Sequence, residues 1–260
     1  MTLEQFHLGI TTALGLLIGS FLNVVIHRLP EGQSIVRPRS SCPRCRKPVA
    51  WFDNLPILSW LLLKGRCRHC KKSISVRYPV VEALTACLFL AAFHRGEWGT
   101  TLWIRDWPFL AALIAVSFID LQHRIIPDEL SWGGLAFGLL TSVLDPELGW
   151  QGALIGSAVG FVFFYALAAG YERWSGKMGL GGGDIKLLAM LGAFLGWRGV
   201  FATVLLSSIV GSLVGVGWAL ASRKKEVMGL AIPYGPFLVL GAVCYFLFGG
   251  QPWFQFILPI

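Results

Sequence analysis

The apolar positions of this chain are gathered into long blocks, and short charged patches separate them. Blocks of this kind are typical of membrane-spanning helices, which need about 20 apolar residues to cross a bilayer. We predict eight spans, several of them shorter than that length. They cover residues 8–27, 79–94, 107–120, 130–144, 151–170, 185–197, 200–221 and 233–249. The predicted fold class is therefore an all-α polytopic membrane protein with about eight transmembrane helices.

The composition agrees with this pattern. Of the 260 residues, 55% are apolar and only 14% are charged, whereas a soluble domain usually carries roughly 25% charged residues. The net charge of +8 would suggest a nucleic-acid partner in a soluble protein. Here the basic residues follow the predicted topology, so no nucleic-acid partner is expected.

The distribution of lysine and arginine predicts the orientation in the membrane. Twelve of the 22 basic residues lie after the first apolar block, from Arg28 to Arg77. Cytoplasmic loops carry an excess of lysine and arginine, so this loop is expected in the cytoplasm. Alternating the eight spans then puts 19 of the 22 basic residues on the cytoplasmic side and leaves Arg95, Arg105 and Arg198 outside. Both termini are expected on the outer side.

The long basic loop contains four cysteines in two CxxC pairs, Cys42 with Cys45 and Cys67 with Cys70. Two such knuckles at this separation are typical of a zinc ribbon, in which four thiolates hold one tetrahedral ion. Disulfides are the alternative, but a cytoplasmic loop is a reducing environment. Four sulfur ligands leave no position for water, so the zinc would be structural.

These features predict three domains. Residues 1–27 form the first transmembrane helix, and residues 28–78 form a cytoplasmic zinc-binding domain that resembles a zinc ribbon. Residues 79–260 form a membrane domain of seven helices.

Two aspartates are the candidate catalytic residues. Asp120 ends the third predicted span, and Asp184 begins the sixth. The topology places both at the cytoplasmic interface, and carboxylates at such depths are functional candidates. We expect them to form a pair that activates water. Two alternatives remain: Asp184 could be a simple cap of its helix, and Asp120 could be a solvated partner of Arg124 one turn away.

Helix dipoles suggest different roles for the two carboxylates. A helix stabilises an anion at its N-terminus and not at its C-terminus, so we expect Asp184 to be the general base and Asp120 the general acid. Gly181, Gly183 and Lys186 surround Asp184 in sequence and are expected to support the catalytic loop.

Polar residues inside other spans are candidates for substrate binding. Glu82 lies in the first turns of the second span, and Asn23 lies in the first span. A polar side chain in lipid must find a partner. These two residues are therefore the candidate substrate-binding residues.

Six segments carry a family resemblance that covers nearly the whole chain. They are GSFLNVVI at 19–26 with RLP at 28–30, the two CxxC knuckles, ISVRYPVVEALT at 74–85, ID at 119–120 with IPD at 126–128, GGGDIKLL at 181–188 and IPYGPF at 232–237. In this order they resemble the bacterial prepilin peptidases, the leader peptidases of type IV pili and type II secretion.

This resemblance implies an aspartic peptidase of the bacterial inner membrane, with Asp120 and Asp184 as the catalytic pair facing the cytoplasm and both termini in the periplasm. It implies cleavage of the short basic leader of a prepilin or pseudopilin after its glycine. It also implies N-methylation of the new terminus, with S-adenosylmethionine as methyl donor.

The expected partners are the N-terminal segments of prepilins or pseudopilins, together with membrane lipid. The sequence indicates no oligomeric state. Two other functions remain as alternatives. One is a zinc-ribbon scaffold that binds a partner and cleaves nothing, and the other is a proton-coupled transporter in which the two aspartates relay protons.

Overall fold

The computed structural model describes residues 2–96, 98–177, 179–221 and 233–258. These residues form α-helices, short 3₁₀ and π turns and two isolated β-bridges, but no β-strand, which confirms the all-α fold class. The helices are α1 (Leu3–Arg28), α2 (Leu58–Leu62), α3 (Arg77–Arg95), α4 (Trp107–His123), α5 (Asp128–Thr141), α6 (Gly149–Ala158), α7 (Phe164–Ser175), α8 (Gly182–Ala221), α9 (Gly235–Phe248) and α10 (Pro252–Ile257).

The chain divides into two compact units, Met1–Ala115 and Val116–Ile260. The four-cysteine loop lies in the first unit, and the two candidate aspartates lie in the second. The boundaries of the three domains expected from the sequence stay a prediction.

Among the described residues, four helical stretches are long and apolar enough to cross a membrane. They are Leu3–Glu31, Leu102–His123, Gly149–Ser175 and Gly182–Ala221, and α9 is a shorter apolar helix. Within the described residues, α3 and α5 do not belong to this set, so the count of eight spans stays a prediction. The basic residues at 223–225, which are among the 19 expected on the cytoplasmic side, lie outside the described residues.

The longest helix, α8, covers two of the predicted spans, 185–197 and 200–221. The helix is broken at Gly196, inside the first of these spans and next to its predicted end, where φ is 69° and ψ is 178°. A positive φ of this size is accessible to glycine and strained for other residues. The predicted boundary between the two spans therefore lies close to a break in the helix, but does not coincide with it.

In the first unit, α1 and α3 pack at very short distance. A Cβ atom added at Gly15 or Gly19 would lie 2.6 Å from the Cα atom of Ala86 or Glu82, respectively. Small residues allow helices in membranes to approach in this way. The close packing sets Glu82 against the α1 surface that carries Ser20, whose side chain hydrogen-bonds to it.

In the second unit, α8 is the central helix, and α5, α6 and α9 pack against it. The contact with α9 is close, because a Cβ atom at Gly241 would lie 2.6 Å from the carbonyl oxygen of Thr203. The last turn of α4 carries Asp120, and the first turn of α8 carries Asp184. Helix ends therefore carry both candidate catalytic groups.

Candidate active site

Each CxxC knuckle is a tight turn, and the two turns have the same geometry. The Cys42 N–H donates to the Lys47 carbonyl at 3.0 Å, and the Cys67 N–H donates to the Lys72 carbonyl at 2.9 Å. The residue after the second cysteine has a φ of 57° in the first turn and 58° in the second. The two turns bring all four sulfur atoms within 4.8 Å of one another.

The four-cysteine cluster has the size of a tetrahedral metal site. A zinc ion with Zn–S bonds of about 2.3 Å separates its sulfur ligands by about 3.8 Å, and Cys42 Sγ lies 3.9 Å from Cys70 Sγ. The amides of Cys70 and His69 lower the pKa of the Cys67 thiol to about 7. The Lys47 amide also lowers the pKa of Cys45, but burial and the neighbouring thiols raise it to about 11. A cation would allow all four sulfurs to be thiolates together, so the cluster could hold a metal ion.

Asp120 is buried at the end of α4, with 6% of its surface exposed. Its Oδ2 atom accepts a hydrogen bond of 3.0 Å from the Gly235 N–H. Gly235 is the first residue of α9, so the carboxylate meets the N-terminal end of a second helix. Within the described residues no ion pair joins Asp120 to Arg124. The structure therefore does not support the solvated ion pair considered above.

Asp184 is half-buried in the first turn of α8. Its carboxylate accepts a hydrogen bond from the Gly181 N–H, and it lies close enough to Asp120 for the two charges to interact. A Cβ atom at Gly181 would lie 2.9 Å from Asp184 Oδ2, and one at Gly183 would lie 3.2 Å from Ile126 Cβ. The structure thus brings the two predicted aspartates together and shows why glycines precede the second.

The bond from Gly181 gives Asp184 a capping function as well. A side chain in the first turn that accepts the N–H at the start of its own helix is one half of a capping box. Asp120 also faces a helix N-terminus, through Gly235. Because both carboxylates meet N-terminal ends, helix dipoles do not separate the general acid from the general base.

Lys186 does not pair with Asp184. Its Nζ atom lies 2.6 Å from Asp128 Oδ1, and Asp128 is the first residue of α5. Both side chains are partly exposed, 30% for Lys186 and 61% for Asp128. The ion pair therefore joins the start of α5 to the start of α8 at the edge of the site.

An open cavity of about 560 Å³ adjoins Asp184. Its lining consists of small, aromatic and aliphatic residues beside the carboxylate: Gly179, Leu180, Ser208, Gly211, Ser212, Tyr234 and Phe237. The Tyr234 hydroxyl lies 2.7 Å from Ser207 Oγ on α8. The small side chains leave open space beside the Asp184 carboxylate.

Sequence reasoning assigned no role to Tyr234 and Gly235. Both belong to the IPYGPF segment, one of the six segments that carry the family resemblance. The available signal was a proline in the first turn of a predicted helix, which marks a helix N-terminus. That signal locates the helix start but does not identify the carboxylate that it contacts.

Glu82 and Asn23 lie together in the first unit. Glu82 Oε2 accepts the Ile57 N–H at 2.8 Å. Asn23 Nδ2 donates to the Tyr78 carbonyl at 3.1 Å. Both side chains line one cavity between α1, α3 and the four-cysteine loop. The second unit accordingly contains the aspartate pair, and the first contains this separate polar site.

Two family models match successive parts of the chain. Residues 13–95 match the bacterial peptidase A24 N-terminal domain, and residues 107–216 match the type IV leader peptidase family. A prepilin leader peptidase/N-methyltransferase from Aeromonas salmonicida is 39% identical, over 95% of this chain and 92% of the relative. The chain belongs to the type IV leader peptidase family. Both aspartates fall in the part that matches the family model of that name, and all four cysteines fall in the N-terminal part.

Further relatives with the same name agree with membership of the type IV leader peptidase family. One from Myxococcus xanthus is 45% identical, over 81% of this chain and 63% of the relative. One from Pseudomonas aeruginosa is 37% identical, over 93% of this chain and 90% of the relative. No solved structure gave a significant match.

Proposed function

We propose that this protein cleaves the leader peptide of type IV prepilins or pseudopilins and N-methylates the new N-terminus. The names of the relatives support both activities. The observation that carries the peptidase half is the pairing of Asp120 with Asp184 at helix ends. The scaffold and transporter alternatives are not favoured, because these relatives all bear the name of an enzyme.

In the proposed mechanism the two carboxylates share one proton. The ionised aspartate takes a proton from water, and the water oxygen bonds to the carbonyl carbon of the scissile peptide. The protonated aspartate gives its proton to the carbonyl oxygen, and the leaving nitrogen later takes a proton as the C–N bond breaks. The amides of Gly235 and Gly181 orient the two carboxylates for these transfers.

The proposed substrate fits the topology expected from the charge pattern. A basic leader stays in the cytoplasm and the apolar segment behind it lies in the bilayer, so the scissile bond after glycine comes to the cytoplasmic interface. The proposed location is the bacterial inner membrane, with both termini periplasmic and the aspartates facing the cytoplasm. The cavity beside Asp184 would receive the peptide, and the basic loop would meet anionic membrane lipid.

Two cofactors belong to this proposal. Zinc would be held by the sulfur atoms of Cys42, Cys45, Cys67 and Cys70, whose spacing suits a tetrahedral ion. Its role would be to hold the loop together, since four sulfurs leave no position for a substrate. S-adenosylmethionine, when bound, supplies a methyl group on a positively charged sulfur for transfer to an amine.

Mass spectrometry of a co-expressed prepilin tests the proposal, because the N-terminus of the product reveals both the cleavage position and methylation. Asp120→Asn and Asp184→Asn should each leave the leader in place, since a neutral amide is too weak a base to take a proton from water and too weak an acid to give one to the carbonyl oxygen. Asp145→Asn is the matched control in the second unit, and it should cleave normally. Wild-type cleavage by either catalytic variant would overturn the proposed pair.

A further inference from the structure

A cavity of about 300 Å³ lies inside the first unit. This volume is at the lower end of the range for sites that bind small molecules. Its walls include Ser20 and Asn23 of α1, Tyr78 and Glu82 of α3, and Asp53 and Trp60 of the loop. The peptidase mechanism proposed above uses none of these residues.

Asn23 lines this cavity and carries an unsatisfied acceptor. The side chain is 2% exposed, and its amide nitrogen donates to the carbonyls of Gly19 and Tyr78. The Oδ1 atom finds no donor among the described residues. Buried polar atoms are nearly always hydrogen-bonded, so a bound molecule with an N–H or O–H group would satisfy this one.

Glu82 adds a buried carboxylate that no protein cation neutralises. The residue is 6% exposed, and its partners are the Ile57 N–H and the Ser20 side chain. Within the described residues it forms no ion pair. Acidic side chains are rarely fully buried unless they are paired, so the site suits a cationic ligand.

Two of the basic residues around the cavity are directed elsewhere. Arg28 donates to the Ser34 carbonyl, and Arg68 makes two hydrogen bonds to Asp53. Lys47 also lines the cavity and is available for an anionic group. An acid and a base in one cavity match the two charges of an amino-acid group.

Strained backbone ties the loop to α3 at this point. Ile57 has a φ of 60° and a ψ of −52°, which is a rare conformation for a β-branched residue. In this conformation its N–H reaches Glu82. Such strain persists where the surrounding structure enforces it, and it clusters at functional sites. The four-cysteine loop is thereby held against one wall of the cavity.

We propose that this cavity binds S-adenosylmethionine, with Glu82 and the Oδ1 atom of Asn23 receiving its ammonium group. The inference rests on the methyl-transfer half of the proposed function. The ligand combines N–H donors and positive charge, which the two acceptors require, with a carboxylate that suits Lys47. Trp60 and Tyr78 line the same cavity and offer aromatic surface to the adenine ring.

Direct binding tests the proposal without turnover. The affinity of the detergent-purified full-length protein for S-adenosylmethionine is measured by isothermal titration calorimetry, with no prepilin present. Glu82→Gln keeps the shape of the side chain and removes its charge, so the affinity should fall at least about tenfold. Asn23→Leu, which removes the unsatisfied acceptor, should also weaken binding.

Two control variants separate the cavity from general effects on the fold. Glu31→Gln removes an exposed acid outside the cavity. Thr11→Val removes a buried hydroxyl of α1 that, like Asn23 Oδ1, has no partner among the described residues. Thr11 does not line the cavity. Both should bind S-adenosylmethionine as the wild type does. A cooperative thermal unfolding transition and zinc content at the wild-type level would show that Glu82→Gln is folded.

Ultraviolet crosslinking of S-adenosylmethionine, followed by peptide mapping, locates the ligand independently. The adduct is expected on peptides from residues 51–82. An adduct on residues 179–237 would place the ligand in the second unit and overturn the proposal. A processed pilin peptide that crosslinks to 51–82 when S-adenosylmethionine does not would also overturn it, because the cavity would then hold the methyl acceptor.

The failure of this proposal and that of the proposed function give different results. If the wild type binds S-adenosylmethionine and both Glu82→Gln and Asn23→Leu bind it equally well, the cavity is not the site and the proposed function stands. If a wild-type preparation that cleaves leaders neither binds the ligand nor methylates its product, the methyl-transfer half of the function fails as well.

Discussion

Gly235→Ala should reduce leader cleavage by about 100-fold. The added Cβ atom would lie 2.7 Å from Asp120 Oδ2 and 3.1 Å from its Cγ atom. Ordinary van der Waals contact starts at 3.4 Å, so the carboxylate must move by about 0.7 Å or the helix must shift by a similar distance. A displacement of about 1 Å can cost about 100-fold in rate. The shift would also weaken the bond from the Gly235 N–H, a kind of bond worth about 1.5–3 kcal/mol.

The assay is the rate of leader removal from a prepilin peptide by purified protein, together with the thermal unfolding midpoint. Two glycine variants distinguish a local effect from lost stability. Gly241→Ala creates a comparable clash in the same helix, 2.6 Å from the Thr203 carbonyl, and should lower the midpoint while its folded fraction retains kcat. Gly133→Ala has no atom within 4 Å of the new Cβ and should change neither quantity.

Two results would refute this reasoning. A Gly235→Ala protein with the kcat of the wild type would show that the α9 N-terminus does not position Asp120. Equal losses of kcat in Gly235→Ala and Gly241→Ala, measured per folded molecule, would show that α9 packing in general controls the rate.

Three further changes test other parts of the molecule. Cys42→Ser should lower the zinc content measured by elemental mass spectrometry and expose the loop to protease, while leader cleavage continues; loss of cleavage would contradict a purely structural role. Lys186→Met should change kcat less than about fivefold, because Lys186 contacts Asp128 and partly exposed ion pairs contribute about 1 kcal/mol or less. A larger loss of kcat would indicate that Lys186 acts on Asp184. The hydrogen bond from Arg68 lowers the pKa of Asp53. The loop of the wild type should therefore resist protease better than the loop of Asp53→Asn. This difference should be complete above about pH 5 and should shrink as acid protonates Asp53. A difference in protease resistance that grows in acid would contradict this prediction.

The sequence by itself determined the features that depend on neighbouring residues. Blocks of apolar residues predict helices, because backbone groups in lipid must be satisfied within the segment. The two CxxC pairs predict a metal cluster, because each knuckle needs only one tight turn, and the structure has both turns. Asp120 and Asp184 were found as acidic residues at the ends of apolar blocks. A boundary between two predicted spans also lies close to the break at Gly196.

The tertiary structure decided which groups these residues meet. Asp120 accepts its hydrogen bond from Gly235, which lies 115 positions further along the chain. Lys186 was expected beside Asp184 because the two are neighbours in sequence, and it contacts Asp128 instead. Such pairings depend on which helices pack together and at what rotation, and a local pattern does not contain that information. For the same reason only the packing of α1, α3 and the loop turned Glu82, a lone acid in an apolar segment, into the wall of a cavity.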